Sequence, residues 1–146
     1  FEVNDFVITP NSTWHEHGVA EDGKTCVWQD GLDIPLVNAL EANDYEVFDG
    51  KQPLSRPINF SPLTFGGAGL LPTYECWNKP YSPLFKYEWK KVYPALQEAA
   101  RISEGSPYDG IIMRYTNPQT GGHVMQTMGA SMQLLRPGEH TKAHKH

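Results

Sequence analysis

The sequence predicts a mainly β chain with a helical bridge in its middle. Short β-branched and aromatic runs such as "DFVITP", "TCVWQ" and "GIIMRYT" are each ended by proline, glycine or polar residues. These runs lie toward the two ends of the 146-residue chain. Between them only one long stretch, "LFKYEWKKVYPALQEAARI", repeats apolar residues at helical spacing.

In order, "DFVITP" reads as a strand stopped by Pro10, and "TWHEH" as a second, closed by Gly18. The polar run "GVAEDGK" is a loop before a third strand, "TCVWQ". In "LDIPLVNALEAN", Asp33 can cap, Pro35 suits a first helical turn, and Leu36 and Leu40 share a face, so a short helix is expected. From about Glu46 to Tyr81 the proline and glycine content predicts an irregular connection. Its "FGGAGLLP" lacks both the third glycine of a dinucleotide loop and the lysine of a Walker loop, which leaves a turn. The long helix follows, and Pro94 should kink it or start a second helix by removing one backbone donor. After the turn chemistry of "EGSPYDG" the pattern returns to strands. "RYTNPQTGGHV" reads as two strands joined at paired glycines, and "MGASMQLL" runs into the terminal "RPGEHTKAHKH".

A net charge of −5 argues against a nucleic-acid or anionic-membrane surface. No apolar run reaches the length of a membrane span and no signal peptide opens the chain. Cys26 and Cys76 fit no CxxC spacing and point to a reducing, cytoplasmic setting. The sequon Asn11-Ser12-Thr13 is read as accidental. The missing initiator methionine and the start within a strand-like run predict an internal piece of a longer protein.

Chemistry is concentrated in histidine. The pairs His15/His17 and His144/His146 each have H-x-H spacing, which on a strand projects both rings from one face. Neutral imidazoles suit iron, zinc, copper or nickel, and two supply half a common coordination set. Taken alone the spacing is a weak signal, and a metal-free surface pair is the commoner origin of it. His123, after a double glycine, reads as a loop residue, and His140 has a weaker claim to a ligand role than the tail pair.

The spacing Gly138, five residues, His144-x-His146 resembles the first cupin motif, G-x5-H-x-H. "NDFVITPNSTWH" resembles the second, G-D-x4-P-x-G-x2-H, with Asn4 for the leading glycine and Ser12 for the central one. The order is reversed, second motif before first. A bicupin segment explains this: residues 1–50 end one barrel, 51–105 form linker and bridging helix, and 106–146 open a second barrel. Each barrel would be a double-stranded β-helix of jelly-roll type.

"DFVITPNSTWHEHG", "VWQDGLDIPLVNAL", "EGSPYDGIIMRYTNPQTGG" and "MQLLRPGEHTKAHKH" together resemble the gentisate 1,2-dioxygenase family, with its salicylate and 1-hydroxy-2-naphthoate dioxygenases. The resemblance implies an Fe(II) site in the first barrel, with His15 as one of three histidine ligands and the other two upstream of Phe1. It implies that His17 contacts substrate or moves protons, and that Asp30 orients the site by hydrogen bonding. Without it, His17 is a loop histidine and Asp30 a turn or cap residue. His144 and His146 would be metal ligands of the second barrel. The implied reaction opens gentisate to maleylpyruvate with dioxygen, with salicylate or 1-hydroxy-2-naphthoate as alternative substrates. The implied assembly is a homotetramer. Val19, where the family has asparagine, touches the question of substrate preference. The isolated chain is expected to be inactive, and the competing readings are a non-catalytic bicupin binding protein or a different metal-dependent cupin enzyme such as an isomerase.

Overall fold

A computed structural model describes residues 1–145. The chain forms two compact units: Thr9–Pro57, and a second made of Phe1–Ile8 with the chain from Ile58 onward.

In the second unit, strand β1 (Phe6–Val7) pairs antiparallel with β2 (Lys86–Tyr87), Phe6 opposite Tyr87. Ile8 N–H extends the ladder to the Phe85 carbonyl at 2.9 Å. The "DFVITP" run is thus a strand of two assigned residues, because Pro10 ends it and its partner is equally short. A second antiparallel sheet joins β3 (Ile111–Arg114) to β4 (Ser131–Leu134), Ile111 opposite Leu134. The expected hairpin inside "RYTNPQTGGHV" is corrected here. Asn117 turns the chain instead, its side-chain oxygen accepting from Gln119 N–H at 3.0 Å and its carbonyl from Gly121 N–H at 2.8 Å. The partner of β3 is therefore β4.

Helix α2 (Phe60–Phe65) has no signal in the sequence pattern. Its "FSPLTF" has turn chemistry, and tertiary contacts override it. Ser61 Oγ accepts from Phe85 N–H at 2.6 Å and donates to the Pro83 carbonyl at 2.9 Å, and Phe65 is buried. The long helix α3 (Trp89–Ile102) starts five residues later than the apolar spacing from Leu84 suggests, since Leu84 and Tyr87 enter the core. It continues through Pro94 as one helix. Its first N–H, on Trp89, donates to Asp5 Oδ1 at 2.9 Å, a cap supplied from 84 positions away.

The core gathers Ile8, Phe65, Leu84, Tyr87, Tyr115 and Val124. Phe6 stacks on Tyr115 with ring centres 4.4 Å apart. The Tyr87 hydroxyl donates to the Thr116 carbonyl at 2.7 Å and lies 2.9 Å from the buried Ser82 hydroxyl. Burial raises the Tyr87 and Tyr115 phenols above their ordinary range.

"RPGEHT" closes this unit. Pro137 and Gly138, the latter at φ 77°, are the central residues of a turn in which Glu139 N–H returns to the Arg136 carbonyl at 3.0 Å. The Arg136 guanidinium donates to the Ala100 and Ser103 carbonyls at 2.7 and 2.5 Å, capping the C-terminus of α3.

The unit Thr9–Pro57 contains helix α1 (Ile34–Ala39), entered through Pro35 as the residue types suggest. Among its described residues there is no strand, so "TWHEH" and "TCVWQ" are not strands here. A strand is a ladder of hydrogen bonds, and neither segment has a ladder partner in this unit. Trp14, Trp28, Val27, Tyr45 and Leu54 are all exposed, so the unit buries little apolar surface. Among the described residues, no helix of the chain is long and apolar enough to cross a membrane.

Candidate functional site

The approach to His15 is built by a strained turn. Ser12 has φ 57°, in the left-handed region, and Thr13 Oγ1 donates back to the Pro10 carbonyl. Asn4, the other residue standing where the resembling motif has glycine, has φ 66°. Both positions demand the conformation glycine adopts without cost, which explains the motif in physical terms.

Beyond this turn the His15 and His17 rings lie edge to face, centres 5.3 Å apart. His17 stacks on Trp28 at 4.7 Å with the planes 20° apart. His15 and His17 bring two imidazoles, the donor type that iron accepts, to one place. Among the described residues no group of three His, Cys, Asp or Glu comes together, so these rings make a partial donor set.

Asp30 is exposed and makes no hydrogen bond or ion pair among the described residues. The capping position of α1 belongs to Asp33, whose side chain makes no cap hydrogen bond; its Oδ2 accepts from Asn11 Nδ2 at 3.4 Å. Val19 lies over the Ala20–Gly23 turn, its Cγ1 only 2.6 Å from where a Cβ on Gly23 would sit.

Among the described residues the tail histidines join no group of metal-ligating side chains. His144 Nε2 lies 4.0 Å from Asp109 Oδ1, with its ring edge-on to Tyr108, and Lys142 N–H donates to the Pro107 carbonyl at 2.9 Å. His146 lies outside the described residues. His140 is exposed, and His123 packs so closely on Gly129 that a Cβ there would collide with its Nδ1.

Sequence reasoning misses Trp28. Its neighbours place it in a strand, whereas the structure sets its indole against His17. The signal available is an aromatic residue two positions before Asp30 in "VWQDG".

No protein-family profile matches the chain. Individual proteins do. The chain is 40% identical over 145 residues to a 5-aminosalicylate 1,2-dioxygenase of Comamonas sp., covering 99% of this chain and 38% of that protein. It is 38% identical to a 1-hydroxy-2-naphthoate 1,2-dioxygenase of Nocardioides sp. (strain KP7), over 97% of this chain and 36% of that one. It is 36% identical to gentisate 1,2-dioxygenase 1 of Aquipseudomonas alcaligenes, over 92% and 38%. The chain spans a little over a third of the length of these relatives. Among solved structures, the salicylate 1,2-dioxygenase of Pseudaminobacter salicylatoxidans matches with a TM-score of 0.53 and 25% identity, covering 64% of this chain and 28% of that one. A mutant of that enzyme in complex with gentisate matches at 0.53 and 27%, over the same shares.

These relatives define a class, the 1,2-dioxygenases of aromatic hydroxy acids. Within it, the chain belongs to the gentisate 1,2-dioxygenase family, together with the salicylate and 1-hydroxy-2-naphthoate enzymes. The small sheets and mostly non-helical backbone agree with the β fold expected.

Proposed function

We propose that this chain is part of an Fe(II)-dependent dioxygenase that opens the ring of gentisate to maleylpyruvate. The observation that carries the reading is the match, along almost the whole chain, to enzymes named for 5-aminosalicylate, 1-hydroxy-2-naphthoate and gentisate. All three substrates carry a carboxylate and a hydroxyl on adjacent ring carbons. The substrate class is therefore a small aromatic 2-hydroxy acid, with salicylate and 1-hydroxy-2-naphthoate as the alternatives to gentisate. Dioxygen is the co-substrate.

Iron, when bound, would supply the point at which hydroxy acid and dioxygen meet, and neutral imidazole donors leave its charge to favour an anionic chelate. His15 is assigned as an iron ligand. His17 is assigned to substrate contact or to the proton of the substrate hydroxyl, with its ring plane restrained by Trp28. Asp30 is assigned to orienting this site through groups beyond the described contacts. Residues 1–50, 51–105 and 106–146 are assigned to the end of one cupin barrel, a bridge and the start of another, within a homotetramer. His144 and His146 are assigned to the second barrel.

The test uses a protein of the relatives' length carrying this chain. Oxygen uptake with the three acids ranks the substrates. His15→Ala should abolish iron binding, and iron retained at full stoichiometry would remove its ligand role. The 146-residue chain by itself should consume no oxygen with gentisate; turnover by it would overturn the account of the site.

A further inference from the structure

The segment that follows α1 returns to the histidine pair. Phe48 sets its ring edge-on against Trp14 at 5.2 Å, and Gln52 Nε2 donates to the Trp14 carbonyl at 3.3 Å. Trp14 immediately precedes His15. Its carbonyl belongs to the peptide plane that leads into His15, so a bond to that oxygen restrains the direction in which the His15 side chain leaves the backbone. Gln52 is half-buried although its neighbours Lys51 and Pro53 are exposed. Its amide is thus drawn in toward Trp14. In the sequence, Gln52 stands in the Pro-rich run "KQPLSRP", which patterning assigns to a connection with no chemistry.

We infer that Gln52 is a positioning residue for the His15–His17 pair, with Phe48 bracing the same tryptophan. This rests on the reading of His15 as a metal ligand. The physical basis is general: groups that hold a metal ligand in its orientation support metal affinity, and losing one typically costs about 10- to 100-fold. Gln52 acts through the Trp14 peptide.

The experiment uses the 146-residue chain, with zinc alone as the probe and the imidazole nitrogens of His15 and His17 followed individually by NMR. Site-resolved signals separate this pair from the histidines of the tail. Gln52→Glu keeps the shape of the side chain but removes the N–H donor. The inference expects a zinc affinity at His15 about tenfold weaker or more, together with loss of the ring contact between His17 and Trp28. Phe48→Leu keeps the donor and should give a smaller loss of the same kind. The amide signals of α1 should stay in place in both variants.

Unchanged zinc affinity and ring contacts in Gln52→Glu would overturn the inference. So would a collapse of the α1 signals along with the zinc site, because Gln52 would then be a general structural residue. Failure of the underlying reading looks different: zinc would then produce no response at the His15 nitrogens of the unaltered chain.

Discussion

Replacing Arg136 with alanine removes the cap at the C-terminus of α3 while sparing the turn beside it. The guanidinium donates to two carbonyls, those of Ala100 and Ser103, and its Nη1 lies 3.5 Å from Glu139 Oε2. A hydrogen bond from a charged donor contributes roughly 1.5–3 kcal/mol, and a cation at a helix C-terminus adds about 0.3–1 kcal/mol. The Arg136 side chain is 32% exposed, so water replaces part of what is lost. About 2 kcal/mol is a reasonable net cost. Glu139 keeps its bond from the Arg136 backbone N–H at 2.7 Å, which alanine also supplies, so the Pro137-Gly138 turn should persist. In a unit of roughly 100 residues, about 2 kcal/mol corresponds to a fall in Tm of about 8–16 °C. Thermal unfolding followed by circular dichroism reads the shift, and amide exchange at Ser103 reads its origin. Arg136→Lys retains the charge but not the planar donor group, and should recover about half the loss. A shift below about 2 °C for Arg136→Ala, or lysine performing as well as arginine, would refute the role of the guanidinium.

Three further expectations follow from the same geometry. The Tyr115 hydroxyl is buried and has no hydrogen-bond partner among the described residues. Tyr115→Phe should therefore be neutral or stabilising by up to about 1 kcal/mol in denaturant unfolding, and a clear destabilisation would show that the hydroxyl is satisfied. Ser12→Gly relieves a left-handed φ. After the extra freedom of glycine in the unfolded chain is subtracted, it should slow amide exchange at Thr13 by about 0.5 kcal/mol, and faster exchange would count against strain at Ser12. Hydrogen bonds from Lys91 and Lys90 hold the Glu88 carboxyl down at about 2, against an ordinary value of 4.5. A lowered folded-state value stabilises above the ordinary one, and that contribution disappears as pH falls from about 4.5 to 2. Both lysines are largely exposed, so the effect is about 1 kcal/mol at most. It should vanish from the acid limb of the stability curve in Glu88→Gln.

The parts of the fold legible in the sequence are those governed by local chemistry. Pro35 opens α1 as its residue type suggests, with Asp33 at the capping position but without a side-chain cap bond, and Val92, Leu96 and Ala99 mark α3 by spacing alone. What escapes depends on partners far along the chain. "FSPLTF" becomes helical because Ser61 is tied to Pro83 and Phe85, and Leu84 is taken from the apparent helix into the core. "TWHEH" and "TCVWQ" have the composition of strands, but composition supplies no ladder. At the candidate site, the H-x-H spacing brings out His15 and His17, and the unusual Ser12 occupies glycine-like backbone. Trp28 and Gln52 are invisible, because stacking on a ring or reaching one carbonyl leaves no periodic trace.

The cap that Asp5 provides to Trp89, with the Phe6–Tyr87 pairing beside it, also sets a timetable for synthesis. A ribosome adding roughly 5–20 residues per second needs on the order of 4–17 s to travel the 84 positions from Asp5 to Trp89. Until then Phe6 and Ile8 have no native surface to bury against. During that interval the nascent segment around Phe6 and Ile8 is a natural client for a chaperone that holds short apolar stretches.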